Sequence, residues 1–107
     1  MKLKNKIAII TGAGRGIGRA VALEFARNGA KLILLDINLK SVKELAQQIK
    51  HLGTDVIAIK CDVNKEEEIV KAVKSVVNKH KKIDILVNNA GIFTQKPLFN
   101  VKKNGTC

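Results

Sequence analysis

The chain has 107 residues, 46% of them hydrophobic and 27% charged, with three Phe and neither Trp nor Tyr. That length leaves room for one small domain with a modest core, and no run approaches the ~20 apolar residues of a membrane-spanning helix. The formal charge of +11 would suit a nucleic acid, but 17 of the 20 basic residues are lysines spread through every segment and stacking aromatics are scarce, so a solvated basic surface is expected and specific nucleic-acid binding is not.

The basic start and the apolar residues from Lys6 to Ile10 are too short for the core of a secretion signal, and glycines follow at once. The run Lys6 to Thr11, KIAIIT, is β-branched and lacks polar alternation, which predicts a strand covered on both faces of a parallel sheet. After it comes a glycine-rich turn, TGAGRGIG, from Thr11 to Gly18. From Gly16 to Asn28 a helix is predicted, with Ile17, Ala20, Val21 and Phe25 on one face and Gly29 at its C-terminal cap.

Lys31 to Leu35 is a second buried strand, ending at Asp36. Asn38 can cap a second helix, whose Val42, Leu45, Ala46, Ile49 and Leu52 form an apolar stripe closed by Gly53. Asp55 to Lys60 is the third strand. A third helix is predicted to open at Asn64 with Glu67 completing a capping box, and its stripe is Ile69, Ala72, Val73, Val76 and Val77. Ile83 to Val87 is the fourth strand, followed by Asn-Asn-Ala-Gly from Asn88 to Gly91.

This alternation predicts an α/β fold, a Rossmann-type doubly wound parallel sheet of four strands in the order 3-2-1-4. Residues 1–91 are expected to form its dinucleotide-binding portion. Residues 92–107, which hold the only proline, Pro97, show no clear periodicity and are expected to be an irregular or partly helical, truncated tail.

In such a sheet a ligand sits beyond the carboxyl ends of the strands where the strand order reverses, here between the first and fourth strands. The loop from Gly12 to Gly18 and the segment Asn88 to Gly91 both leave strands at that edge. Glycine permits a tight turn, removes the Cβ from the path of a pyrophosphate, and lets a helix pack close to a strand. The helix beginning near Gly16 then aims free N–H groups at an anion. The spacing is Thr-Gly-x-x-x-Gly-x-Gly, so both the P-loop pattern and Gly-x-Gly-x-x-Gly fail at Ile17. Asp36, at the end of the second strand, is placed to accept hydrogen bonds from an adenosine ribose and would repel the 2′-phosphate of NADP. Arg15, inside the loop, is a candidate partner for that phosphate, so NAD is favoured and NADP stays open.

Together these residues resemble the short-chain dehydrogenase/reductase family, in particular its group of 3-oxoacyl-acyl-carrier-protein reductases and sugar or alcohol dehydrogenases. TGAGRGIG fits the family's glycine motif, which implies cofactor binding by Gly12, Ala13, Gly14, Arg15, Gly16, Ile17 and Gly18. LLDIN places Asp36 as in NAD-preferring members. CDV puts Asp62 at the adenine amino group and Val63 beside the adenine ring, and NNAG puts Asn89, Ala90 and Gly91 along the adenosine ribose. The resemblance implies hydride transfer between nicotinamide and an alcohol or ketone. The family's Tyr-x-x-x-Lys pair and serine have no counterpart in these 107 residues, which contain no tyrosine. No catalytic residue is therefore assigned, and the chain is expected to be the N-terminal part of a longer enzyme, inactive alone. The alternative is a non-catalytic nucleotide-binding or interaction fragment that pairs with a full-length homologue, or a homo-oligomer, through the exposed edge of the fourth strand.

The remaining polar candidates have simpler explanations. His51 and His80 are expected as solvated helix-end residues, and Glu66 to Glu68 as acids that complement a helix dipole rather than metal ligands. Cys61 is expected to be a semi-buried small side chain. With Cys107 it gives neither metal-site nor disulfide spacing, which fits a cytoplasmic protein.

Overall fold

In the computed structural model, residues 2–89 are described; Ala90, Gly91 and the segment 92–107 lie outside the described residues. The elements run β1 (Ile7–Thr11), α1 (Gly16–Arg27), β2 (Lys31–Asp36), α2 (Leu39–His51), β3 (Val56–Lys60), α3 (Glu66–His80) and β4 (Ile85–Asn88). All four strands are parallel and lie in the order β3-β2-β1-β4, the predicted topology of a doubly wound, Rossmann-type sheet. The predicted fourth strand is shifted: Ile83 and Asp84 precede β4, and Asn88 belongs to it.

Every residue of β1 is buried, as are the four central residues of β2, because these strands are covered on both faces. Alternate side chains feed two cores. Ala8, Ile10, Leu32 and Leu34 pack with Ala22 and Ala26 of α1 and Val42, Leu45 and Ile49 of α2. On the opposite face Ile7, Ile9, Ile33 and Leu35 pack with Ile69, Ala72 and Val76 of α3.

The helix faces depart from the predicted stripes at their ends. In α1 the buried residues are Gly18, Ala22 and Ala26, with Val21 and Phe25 half-buried, whereas Ile17 and Ala20 are exposed. Small residues let α1 lie close to the sheet, and Ile17 stands in the first turn, where the helix has passed beyond it. Leu52, after the end of α2, and Val77 of α3 are likewise exposed.

The C-terminal caps follow the sequence signals. Gly29, at φ +90°, and Ala30 donate to the carbonyls of Ala26 and Phe25, the paired bonds of a Schellman motif. Gly53, at φ +83°, closes the second helix in the same sense, donating to Lys50. No glycine follows α3, which ends on Lys81 in the left-handed region at φ +69°.

At the start of α3 the expected capping box is absent. Lys65 is the N-cap and makes no side-chain cap bond. Instead Asp62 Oδ1 accepts from Asn64 N at 2.9 Å, and Glu68, rather than Glu67, reaches back to accept from Asp62 N at 2.8 Å. The turn formed by Asp62 delays the helix, so the glutamate that folds back is one residue later than the box would have it.

Candidate dinucleotide site

The seam between β1 and β4 is held by side chains at both ends. At its start Asp84 N donates to Ile7 O and Asp84 Oδ2 accepts from Ile7 N, at 2.9 and 2.8 Å. Lys82 Nζ lies 3.1 Å from the same oxygen. These contacts hold the Asp84 carboxyl below the usual carboxylate range, the Ile7 N–H being the chief cause and Lys82 the next.

At the far end, the buried Thr11 hydroxyl accepts from Asn89 N at 2.9 Å and lies 3.1 Å from Asn88 Oδ1 as donor. Asn89 Nδ2 then donates to Gly12 O at 3.3 Å. Gly18 passes beneath this junction: a Cβ there would overlap Gly12 O and come within 2.6 Å of Asn89 Nδ2. The close approach of α1 to β1 and β4 thus requires glycine at 18. Gly12 and Gly16 are glycines for a different reason, with φ values of +63° and +60°.

Where these strand ends meet, a crevice of about 440 Å³ opens, lined by Gly12, Arg15, Gly16, Ile17, Asp36, Ile37, Cys61, Asp62, Val63, Asn64 and Asn89. Residues 12–18, 36, 62, 63 and 89, separate in the chain, are brought to one place. Ala13, Gly14 and Gly18 are buried and do not line it. Ala90 and Gly91 lie outside the described residues. Ile37, Cys61 and Asn64 are wall residues that the sequence reading did not assign, although each is the immediate neighbour of an assigned residue. Cys61 is only 2% exposed, more deeply buried than expected. Burial pushes its thiol pKa up, and the Glu68 and Asp62 carboxylates act in the same direction, so it is no ready nucleophile.

The floor of the crevice suits a phosphate group. The N-cap of α1 is Arg15, which makes no side-chain cap bond, and the first turn carries no acid. By contrast α2 is capped by Asn38, which accepts from Ser41 N at 3.2 Å, and α3 has three glutamates in its first turn. Among the described residues the first N–H groups of α1 therefore have no capping side chain to donate to, beside a loop where a Cβ at Gly16 would meet nothing within 4 Å. Asp36, at the carboxyl end of β2, has one bond on each oxygen: Oδ2 accepts from Gly14 N at 2.9 Å and Oδ1 from Asn38 N at 3.0 Å.

The two histidines lie away from this crevice, as expected, but they differ from each other. His51 is exposed, whereas His80 Nε2 is buried without a hydrogen-bond partner, against the solvated position expected for it. Among the described residues no group of three or more His, Cys, Asp or Glu side chains is placed to hold a metal ion, and no helix is long and apolar enough to cross a membrane.

The short chain dehydrogenase family profile matches residues 6–105. The chain belongs to that family. It is 41% identical over 97 residues to the 7alpha-hydroxysteroid dehydrogenase of Escherichia coli K12, covering 91% of this chain and 38% of that protein. Among solved structures, an NAD+-bound xylitol dehydrogenase superimposes with a TM-score of 0.82 at 38% identity, over 86% of this chain and 35% of that one. A metagenomic short-chain oxidoreductase in complex with NADP gives the same TM-score at 30% identity, over 86% and 42%. The chain thus spans about two fifths of the length of the dehydrogenases it matches.

Proposed function

We propose that residues 1–91 are the NAD-binding portion of a short-chain dehydrogenase that moves hydride between nicotinamide and an alcohol or ketone. The observation that carries this reading is the crevice itself, in which the uncapped start of α1, the Asp36 carboxylate and the Asp62–Val63 turn face one cavity. The glycine loop and the N–H groups of Gly16 and Ile17 would hold the pyrophosphate, with Gly18 letting the helix pack close beneath it. Asp36 would accept from the adenosine ribose, Asp62 and Val63 would flank the adenine, and Asn89, with Ala90 and Gly91, would border the ribose. Bound NAD supplies the hydride acceptor, and the residues of this chain bind and orient it.

Family relatives are known with either NAD+ or NADP bound, and Asp36 supports NAD here, since a carboxylate opposes a 2′-phosphate. Arg15, the one basic side chain among the described residues of the crevice wall, would favour NADP. The 107 residues contain no tyrosine and so lack the family's acid-base group. We therefore take the chain alone to bind dinucleotide without turnover, and the free Cys61 thiol to fit a cytoplasmic protein. Calorimetric titration of the purified chain with NAD+ and NADP+ tests the reading. Tighter binding of NAD+, reversed in Asp36→Ser, is expected; binding of neither, or selectivity unchanged in that variant, overturns it.

A second reading is favoured by one observation. β4 is an edge strand with one partner, β1, among the described strands, and its Ile85, Leu86 and Val87 are only half-buried. Such an edge can pair with another chain, a second copy or a full-length homologue. Co-purification with a longer family member would favour it, and a dispersed monomer would refute it.

A further inference from the structure

Gly14 occupies an unspecified position of the Thr-Gly-x-x-x-Gly-x-Gly pattern, and its backbone is not in the left-handed region, so neither motif nor conformation demands glycine there. Space does. A Cβ on Gly14 would lie 2.8 Å from Asp36 Oδ2 and 2.7 Å from Ser41 Cβ. The missing side chain is what lets Gly14 N come within 2.9 Å of the carboxylate. From these contacts we infer that Gly14 is a positioning residue for cofactor selectivity: its bare N–H fixes the Asp36 carboxylate against a 2′-phosphate.

The argument is one of rotational freedom. A carboxylate at the end of a strand can turn away from an incoming anion when nothing holds it, and the repulsion then falls. Asp36 is held on both oxygens, by Gly14 N from the loop and by Asn38 N from the start of the second helix. Turning it breaks two charge-assisted bonds that share no donor. Each oxygen still keeps a lone pair for a ribose hydroxyl. The same clamp that presents the carboxylate to a diol therefore keeps it in the path of a phosphate. Ser41, beneath the loop, donates its N–H to the Asn38 side chain, so the second helix fixes one half of the clamp and fills the space beside the other.

This inference rests on the ribose role proposed for Asp36, and the experiment separates the two. Affinities of the 107-residue chain for NAD+ and NADP+ are measured for wild type, Gly14→Ala, and Gly14→Ala combined with Ser41→Gly, which frees the Ser41 side of the added methyl. The expected result is preference for NAD+ in wild type and a fall of about tenfold in the ratio of the two affinities in both variants, the size of one lost hydrogen bond to a charged group. Wild type without preference defeats the Asp36 role and this inference with it. Wild-type preference retained in folded variants defeats the inference alone. Should neither variant fold, amide hydrogen exchange decides: Gly14 N–H is protected in wild type and loses protection in Asp36→Ala, and unchanged protection overturns the clamp.

Discussion

The hydroxyl of Thr11 accepts the backbone N–H of Asn89 at 2.9 Å, joining residues that stand 78 apart in the chain. Thr11 is fully buried at the end of β1, and its oxygen also lies 3.1 Å from Asn88 Oδ1. One side chain thereby closes the floor of the crevice between the glycine loop and the segment after β4.

Thr11→Val keeps the shape and removes the oxygen. It leaves the Asn89 N–H without its acceptor and is expected to cost about 1–3 kcal/mol, measured by urea denaturation. A loss below a few tenths of a kcal/mol would show that water replaces the hydroxyl.

Gly16→Ala and Gly18→Ala should separate binding from stability. At Gly16 a methyl enters open space at φ +60°, so the fold loses about 1 kcal/mol while the methyl stands where phosphate would approach. At Gly18 the methyl meets the Gly12 backbone and Asn89, and about 1–3 kcal/mol of stability is expected to be lost. Thermal melts with and without NAD+ read both effects. An NAD+-dependent rise in melting temperature that survives in Gly16→Ala as fully as in wild type would contradict the role assigned to Gly16.

Asp84 links the seam to pH. Its folded pKa lies below the unfolded value of about 3.9, so its contribution is fully present above that value and is lost as pH falls through the lower folded one. Unfolding free energy followed from pH 6 downward should drop less steeply in Asp84→Asn than in wild type. Parallel curves would mean that the Ile7 N–H bond does not survive in solution.

Lys81 ends α3 at φ +69° with its N–H donating to Val77 O at 2.7 Å. Lys81→Gly relieves the left-handed conformation and should stabilise the fold by about 1 kcal/mol, seen as a raised denaturation midpoint. A lowered midpoint would show that the greater backbone entropy of glycine in the unfolded chain outweighs the relief.

Buried runs made β1 and β2 readable, since IAII from Ile7 to Ile10 and LILL from Leu32 to Leu35 carry no polar residue that a water-facing strand would need. The caps at Gly29 and Gly53 were equally local signals. What pattern alone missed was set by distant partners. Ile17 has helical spacing but stands beyond the sheet, and whether Glu67 or Glu68 folds back depends on the turn at Asp62. That the loop and Asp36 would meet at one crevice was legible, because both leave the carboxyl ends of parallel strands. The Gly14 bond to Asp36 was not, because only the folded chain brings residues 14 and 36 together.

The bare start of α1 has a consequence for how this protein should be handled. A helix that lacks both a capping side chain and an acid in its first turn forgoes stabilisation that its two companions retain. An anion that docks there would restore that stabilisation only while bound, and buffer composition would then become part of the protein's measured stability. A melting temperature recorded in phosphate and one recorded in an amine buffer would describe different thermodynamic states of the same chain.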